Sequence, residues 1–562
     1  MHWHTWNDDV FARASERGSM VLLVLEAAWS RPCADLRAAL AADPTLSATL
    51  NQKLVCVAVD KDTEPDLDAT YRGSGWPTLA WLDIQGKLLH RSGALRADQV
   101  LAITEALGKG RTVPTEQSPH SDSPLSLELA DDVLATLLSS ADPVHGGWGK
   151  RQKFPHPDAL HFAMVRWSQT GRKEVLDLVM RTLDRMQRGA IYDSVEGGFF
   201  RYAGRADWGD PHPQKMLGPN ALRLLAYVEA YQALGDASFA ATAEGIMHWM
   251  QDALLDPVTG AFFASQDESP DYFHLTSREA RAKHGAPDCD PRILTERNAH
   301  VVCALLKGGL VLEREEWTDQ ALRTLDFLCD NLVDERRGVH SYWDGSPNLP
   351  GLLIDRAALL RAMIEAVHYA GENRFLDLAL ALAERTLIEH AAPDGSLYER
   401  QDERAAHGDP GERQETLPAN SAFAEALLRL GHLLRRSDLV EQARRILGAF
   451  AGDFRRYGPL AASYGRAVDL LFHPPVHVTV VGDAEHDTTR ALRRAALRPY
   501  VASRVVQSID PKREPELLGV LDINLAAFGD GPIALVEQGN ESYASTDDPR
   551  RLPSLMTRLE RG

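Results

Sequence analysis

Two hydrophobic periods divide this chain. Near the N-terminus, short apolar runs rich in Val and Leu dominate, and Val21 to Ala27 and Val55 to Asp60 read as buried strands. Between them Cys33, Leu36 and Leu40 stand at i, i+3 and i+7, which predicts a helix with Ser30 as its N-cap. Thr78 to Asp83 and Leu88 to Arg91 flank Ile84-Gln85-Gly86-Lys87 as a hairpin, and Ala94 to Leu107 closes the segment as a helix. Residues 109–124 are polar and proline-rich, the signature of a linker. From about 125 to 473 the period becomes helical. Twelve helices are predicted, beginning near Leu125, Asp158, Lys173, Met216, Asp236, Thr295, Glu315, Leu353, Asn373, Pro418, Ser437 and Tyr457. The last region returns to strands at Val476 to Gly482, Val501 to Val506 and Ile533 to Glu537, with a helix over Thr488 to Leu497.

The helical region repeats. Short turns such as Gly235-Asp236 join helices in pairs, and long loops separate the pairs. Each long loop carries a glycine-aromatic insert: Gly146-Gly147-Trp148-Gly149, Gly197-Gly198-Phe199-Phe200-Arg201-Tyr202, Gly260-Ala261-Phe262-Phe263, Gly338-Val339-His340-Ser341-Tyr342-Trp343 and Gly395-Ser396-Leu397-Tyr398-Glu399. Units that cannot bury their own apolar faces stack on one another. Six hairpins suggest a closed (α/α)6 toroid with the five long loops rimming a cavity at one end. The expected layout is therefore an α/β domain over 1–110, a linker over 111–124, the toroid over 125–475 and a small C-terminal α/β appendage over 476–562.

Composition narrows the function classes. The 562 residues carry 61 Lys+Arg against 80 Asp+Glu, a net charge of −19, which disfavours nucleic acid and anionic membrane surfaces. No run of 18 apolar residues predicts a membrane span. The start, Met1-His2-Trp3-His4-Thr5-Trp6, lacks the basic and apolar regions of a signal peptide. Five scattered cysteines without C-x-x-C argue against a disulfide framework and a zinc–thiolate site, and fit a reducing cytoplasm. No G-x-G-x-x-G or P-loop marks a nucleotide, and the histidines lack ligand spacing, so neither a cofactor nor a metal is expected.

The first segment has a thioredoxin frame with one cysteine short. Trp29-Ser30-Arg31-Pro32-Cys33 follows the first strand, and Trp76-Pro77-Thr78 comes later. Disulfide exchange needs an attacking and a resolving thiol. Serine holds the exposed place and Cys33 stands one turn in, on the apolar face, where a thiol behaves as a small core residue. Ser30, Cys33 and Pro77 thus mark a fold rather than an activity.

The toroid loops offer richer chemistry. Sugar sites combine flat aromatics with carboxylates and amides, and proton transfer beside a carbonyl uses His, Tyr, Lys or Glu. A glycoside hydrolase needs two flanking carboxylates. Ser265-Gln266-Asp267-Glu268 after Phe262-Phe263 is the best cluster, and Pro211-His212-Pro213-Gln214-Lys215-Met216 the second. Asp267, Glu268, His212 and Lys215 are the catalytic candidates. Trp148, Asp193, Phe199, Arg201, Tyr202 and Gln266 are candidates for binding. Glu196, Asp344, Glu399 and Asp402 are further loop acids whose plain reading is solvation.

Taken together, the motifs resemble the spermatogenesis-associated protein 20 family across nearly the whole chain. The family's C-H-W-C-H corresponds to Ser30-Arg31-Pro32-Cys33-Ala34, and its G-G-F-G-x-x-x-K-F-P to Gly146 through Pro155. Its I-Y-D-x-x-G-G-G-F-x-R-Y is similar to Ile191 through Tyr202, its P-H-F-E-K-M-L to Pro211 through Leu217, and its S-x-D-A-D-S to Ser265 through Ser269. The resemblance implies a thioredoxin-like domain joined to a six-hairpin barrel like those of N-acylglucosamine 2-epimerases and six-hairpin glycosidases. It adds Lys153, Phe154, Tyr192 and Asn298 as binding candidates. This chain departs at Ser30, at both motif histidines, at Gln214 for glutamate and at Arg297 for tryptophan. The leading expectation is a barrel that binds or processes a sugar or other small molecule, beside a redox-inactive domain that docks a protein partner. The alternatives are a non-catalytic scaffold and a thiol oxidoreductase.

Overall fold

The structure, a computed structural model, describes the chain except residues 8, 27–30, 61–66, 68–70, 72–76, 94, 112–123, 150–151, 335, 337, 401–415, 453, 522, 524–530, 539–541 and 561–562. Ser30, Trp76, Asp402 and nearly all of the expected linker lie outside the described residues. Two compact units emerge: Met1–Pro119 with Tyr398–Thr416, and His120–Leu397 with Leu417–Gly562.

The first unit is a thioredoxin-like five-stranded sheet. Its order is Trp3–His4, Leu54–Asp60, Met20–Glu26, Thr78–Leu82, Leu88–Ser92, with the first three strands parallel and the rest antiparallel. The central strand reads as a continuous apolar run because both faces are covered. Val21, Leu23 and Leu25 pack with Val10, Phe11 and Ala14 of the Asp9–Arg17 helix, and Leu22 and Val24 pack with Leu36 and Leu40 of Arg31–Ala42. Cys33 sits on this second helix at 4% exposure, a core thiol as its apolar position predicted. At the strand end Glu26 accepts two bonds from Arg37 Nε, at 2.8 and 2.7 Å.

In the second unit six helices form an inner ring: Pro157–Thr170, Leu217–Leu234, Thr295–Val311, Leu353–Glu365, Leu417–Leu433 and Ala462–Phe472. Each packs on the next, and the last packs back on the first. Six outer helices back them: Lys173–Arg188, Ala237–Trp249, Glu315–Leu332, Leu376–Glu389, Ser437–Gly448 and, closing the ring against Ala462–Phe472, Glu128–Ser140. This is the (α/α)6 toroid. The division follows from pattern. Lys173–Arg188 buries Val175, Leu178, Val179, Thr182, Leu183 and Met186, one stripe of an amphipathic helix. Leu353–Glu365 buries almost every position, as a helix enclosed by neighbours must. Gly235 takes φ +73° to end one inner helix, and Asp236 caps the next by accepting the Ser238 N–H.

The C-terminal region is a four-stranded sheet in the order Arg504–Ile509, Val476–Val481, Ile533–Gln538, Ser542–Thr546, with a helix over Asp487–Leu497. The expected strand at Val501 begins later, because residues 497–503 are used for docking. This is the expected appendage, and it is seated on the ring. It meets all six inner helices at their C-terminal ends. Tyr500 stacks on Trp167 at 6.3 Å, and Lys307 Nζ lies 5.4 Å from the Tyr500 ring centre. Gln232 Nε2 donates to the carbonyls of Leu497, Arg498 and Pro499. Val506 N–H donates to His368 Nδ1 at 3.2 Å, His432 meets His477 ring to ring at 5.7 Å, and Ser503 Oγ donates to His473 O. No helix among the described residues is long and apolar enough to cross a membrane.

Candidate functional site

The glycine-aromatic inserts are one turn used repeatedly. Asp142 N–H donates to Gly147 O and Gly146 N–H back to Asp142 O; Asp193 with Gly198 and Gly197, and Asp256 with Ala261 and Gly260, repeat the pattern. The turn needs left-handed backbone. Gly197 has φ +86°, and a Cβ there would fall 2.0 Å from Gly245 O. A buried ion then fastens it. Lys153 Nζ bonds Asp142 Oδ2 at 2.7 Å and also Gly146 O; Lys215 Nζ bonds Asp193 Oδ2 at 2.5 Å and Gly197 O at 2.7 Å. Arg281 adds a second cation to Asp193. Burial pushes the Asp193 carboxyl up, but Lys215 and Arg281 outweigh it and hold it below the ordinary range. Burial brings Lys215 down to about 8 against that pull. An asparagine completes the clasp. Asn220, Asn298 and Asn420 each accept an insert backbone N–H and return the amide to the same residue's carbonyl, at Phe199, Phe262 and Leu397.

This geometry places many predicted residues inside the loop layer rather than on a ligand surface. Trp148, Lys153, Asp193, Phe199, Lys215, Gln266 and Asn298 are buried. Trp148 Nε1 donates to Leu137 O, and Gln266 Oε1 accepts the Trp249 Nε1–H at 3.0 Å. A fully buried ring cannot stack on a sugar, which corrects the expectation for Phe199. Tyr192 packs on Phe199 at 4.9 Å. Asp267 and Glu268 do not face one another as a pair. Asp267 is exposed, and burial of its neighbourhood with Asp290 and Asp288 raises its carboxyl. Glu268 instead turns to His212 Nε2, at 3.5 Å. Four candidates do assemble at the loop end. Phe154, 40% exposed, lies 5.1 Å from Tyr202; Tyr202 lies 5.0 Å from His212; and the Arg201 guanidinium covers the Tyr202 ring.

The motifs missed the ring's interior. On Leu353–Glu365 only Ile354 and Arg361 keep more than slight accessibility, two turns apart on one face. On Ala462–Phe472 Arg466 does so, at 17%, and Arg361 keeps 26%. Outer helices cover the opposite faces, so this accessible surface is a lumen. An ionic chain runs around it. Glu425 accepts Arg361, Arg429 and Arg466, Arg361 also holds Glu365, and Arg466 reaches Asp158 at 3.4 Å. Deeper, Glu229 joins Lys307 at 2.6 Å to His161 at 2.7 Å. Burial opposes ionisation of Glu425, but the three arginines hold it well below the carboxylate range. Near the loop end His300 is lowered by burial, against the fields of Glu296 and Asp158. Asp158 and Arg466 belong to two other inner helices, and their fields reach His300 on Thr295–Val311. Charged residues spaced along otherwise apolar helices were the signal for this lumen. Among the described residues no group of His, Cys, Asp and Glu is arranged to hold a metal ion.

Comparison with known proteins agrees with this architecture. The Thioredox_DsbH family, described as a protein of unknown function (DUF255), matches residues 1–100. Human (Homo sapiens) spermatogenesis-associated protein 20 is 25% identical over an alignment 651 positions long, gaps included, covering 90% of this chain and 83% of the human protein. The mouse (Mus musculus) protein of the same name is 26% identical over 48% of this chain, which spans 39% of its length. Over nine-tenths of its length the chain is similar to spermatogenesis-associated protein 20. A sugar epimerase from a ruminal bacterium superposes with a TM-score of 0.50 at 16% identity, over 61% of this chain and 97% of the epimerase. At that identity the likeness is one of fold. Where the family motif has glutamate, Gln214 is fully buried, and neither atom of its amide is hydrogen-bonded among the described residues.

Proposed function

We propose that the toroid binds a small carbohydrate in its lumen and moves a proton on it, beside a thioredoxin-like domain without dithiol chemistry. The observation that carries this reading is the chain of ion pairs Glu365–Arg361–Glu425–Arg466–Asp158 along the inner helices, in which Arg361 and Arg466 stay partly accessible, with the half-buried His300 within the fields of Asp158 and Arg466. Burial favours the neutral imidazole, which is the form that accepts a proton near pH 7. The lumen guanidinia and carboxylates supply the donors and acceptors that sugar hydroxyls need. The fold shared with a sugar epimerase is consistent with an isomerase or epimerase reaction. Phe154, Tyr202 and His212 would form the entrance, and the thioredoxin-like domain would serve to dock a protein partner.

The test is a panel of aldoses and disaccharides read by thermal shift on wild type, Arg361→Ala and Asp267→Ala. The expected result is stabilisation of wild type and of Asp267→Ala, with loss of the response in Arg361→Ala. No response from wild type would overturn the reading and favour a scaffold. Insulin-disulfide reduction tests the other half, with background rates expected. All five cysteines are free thiols, in keeping with a reducing, cytoplasmic setting.

A further inference from the structure

The ring helices alone do not close the far end of the lumen. The segment between the Asp487–Leu497 helix and the Arg504–Ile509 strand lies across the C-terminal ends of the inner helices. Arg504 ties it down by donating to the carbonyls of Ala496, Leu497 and Pro499. Tyr500 is the residue this segment presents to the axis. Trp167, from one inner helix, stacks on it, and Lys307, from another, lies over its ring. Lys307 is itself bonded to Glu229, and through Glu229 to His161. Burial, with the fields of Glu229 and Tyr369, holds the phenol well above its ordinary range and un-ionised, against the opposing pull of Arg466 and Arg429. An aromatic face beneath a cation–carboxylate pair is a surface suited to one sugar ring, with apolar C–H groups against the ring and hydroxyls on Lys307 and Glu229.

We propose that the C-terminal region is the floor of the ligand site, and that the lumen is a blind well. It takes a free small saccharide or the free end of a chain, with the innermost unit resting on Tyr500. This rests on the reading of the lumen as a carbohydrate site. A polymer threaded through its middle has no exit, because the floor spans every inner helix.

The experiment is calorimetric titration of the full chain with glucose- and mannose-based saccharides of one to six units. Wild type, Tyr500→Phe, Tyr500→Ala and Glu316→Ala, on the exposed start of the outer helix Glu315–Leu332, are compared, each checked for wild-type circular dichroism. The expected result is affinity reached within about two units with no gain from longer chains. Tyr500→Ala should weaken binding about tenfold or more and Tyr500→Phe by a few-fold, with Glu316→Ala unchanged. Affinity that climbs steadily to six units overturns the blind well. Undiminished binding in folded Tyr500→Ala and Tyr500→Phe overturns the floor, and either result leaves the carbohydrate reading standing. Failure of every saccharide to bind wild type overturns that reading, and this proposal with it. If Tyr500→Ala fails to fold, the wild-type length series and Tyr500→Phe still decide.

Discussion

In the loop layer, Lys215 has no accessible surface, and its ammonium is spent on Asp193 and Gly197. On the lumen wall, Arg361 shares Glu425 with Arg429 and Arg466 and keeps a quarter of its side chain accessible. Both regions are built from ion pairs between chain segments far apart in sequence. The first is saturated. In the second, three guanidinia, each with five N–H donors, share Glu425, Glu365 and Asp158, so donors outnumber the bonds those carboxylates take. The difference separates charges that hold the fold from charges available to a ligand, and it runs against the prominence of the motifs. The conspicuous inserts fasten loops, while scattered charges on apolar helices line the cavity.

The sharpest way to break this comparison is to remove one cation from each region. Lys215→Met leaves Asp193 buried with Arg281 alone, and should cost about 3–5 kcal/mol in urea unfolding. Arg361→Gln leaves Glu425 with two arginines and the buried Glu365 without its ion pair, and should cost less, about 2 kcal/mol, while abolishing the sugar response. Equal losses of stability would mean that the lumen arginines are structural too.

Acid should act next, on the floor. Burial drives His368 down to about 3, and His432 and His477 to about 4. His368 faces Glu365, Arg504, Arg429 and Arg361; His432 faces Arg429 and His477; and His477 faces Arg435, which pairs with Glu537. These imidazoles fold neutral, with values below the unfolded 6.5, so unfolding takes up protons as pH falls. Their contribution is complete above about pH 6.5 and is lost progressively toward pH 4, at about 2 kcal/mol per histidine by pH 5. Glu365 and Asp142, held near 2 against the opposing effect of burial by Arg361 and Lys153, lose their contribution only below the ordinary carboxylate values. Hydrogen exchange at pH 7 and pH 5 should therefore show the Val476–Val481 and Arg504–Ile509 strands opening before the loop layer. Simultaneous opening would show that the floor is no more acid-labile than the clasps.

Asn298→Ala removes a two-way amide clasp in the loop layer and leaves the Phe262 N–H and carbonyl buried. A loss of about 1–2 kcal/mol is expected in the same unfolding assay, with sugar affinity unchanged if Asn298 serves only the fold.

The fold was legible because each period is long and has a physical cause. Both faces of the Met20–Glu26 strand are covered, so its apolar run is continuous, and outer and inner helices differ as half-buried and enclosed helices must. Asp193 and Lys215 were noticed as charges in glycine-aromatic loops, but sequence spacing carries no sign of whether a loop charge faces water or a partner 22 residues away. His300, Arg361, Glu425 and Arg466 carry no motif at all. Only ring closure brings Asp158 and Arg466 within electrostatic reach of His300, and a helix-by-helix reading cannot show a juxtaposition made by six chain segments. Tyr500 was hidden for the same reason, since a loop between a helix and a strand looks like a connector until the ring it covers is known.

The smallest stability effect should come from the residue with the largest chemical one. His300 is half-buried and is not part of the Glu425 ion network, so His300→Gln should change unfolding by about 0.5 kcal/mol or less. A glutamine keeps polar contact with a bound sugar but cannot accept a proton in the same range. Deuterium exchange into the bound sugar in D2O should therefore vanish in His300→Gln while binding persists. In wild type, exchange should hold down to a pH below the ordinary imidazole value of 6.5, because burial lowers the pH at which His300 protonates. Exchange that survives the substitution would move the proton-transfer role to another lumen group. Loss of binding together with exchange would make His300 a recognition residue and leave the chemistry without a base.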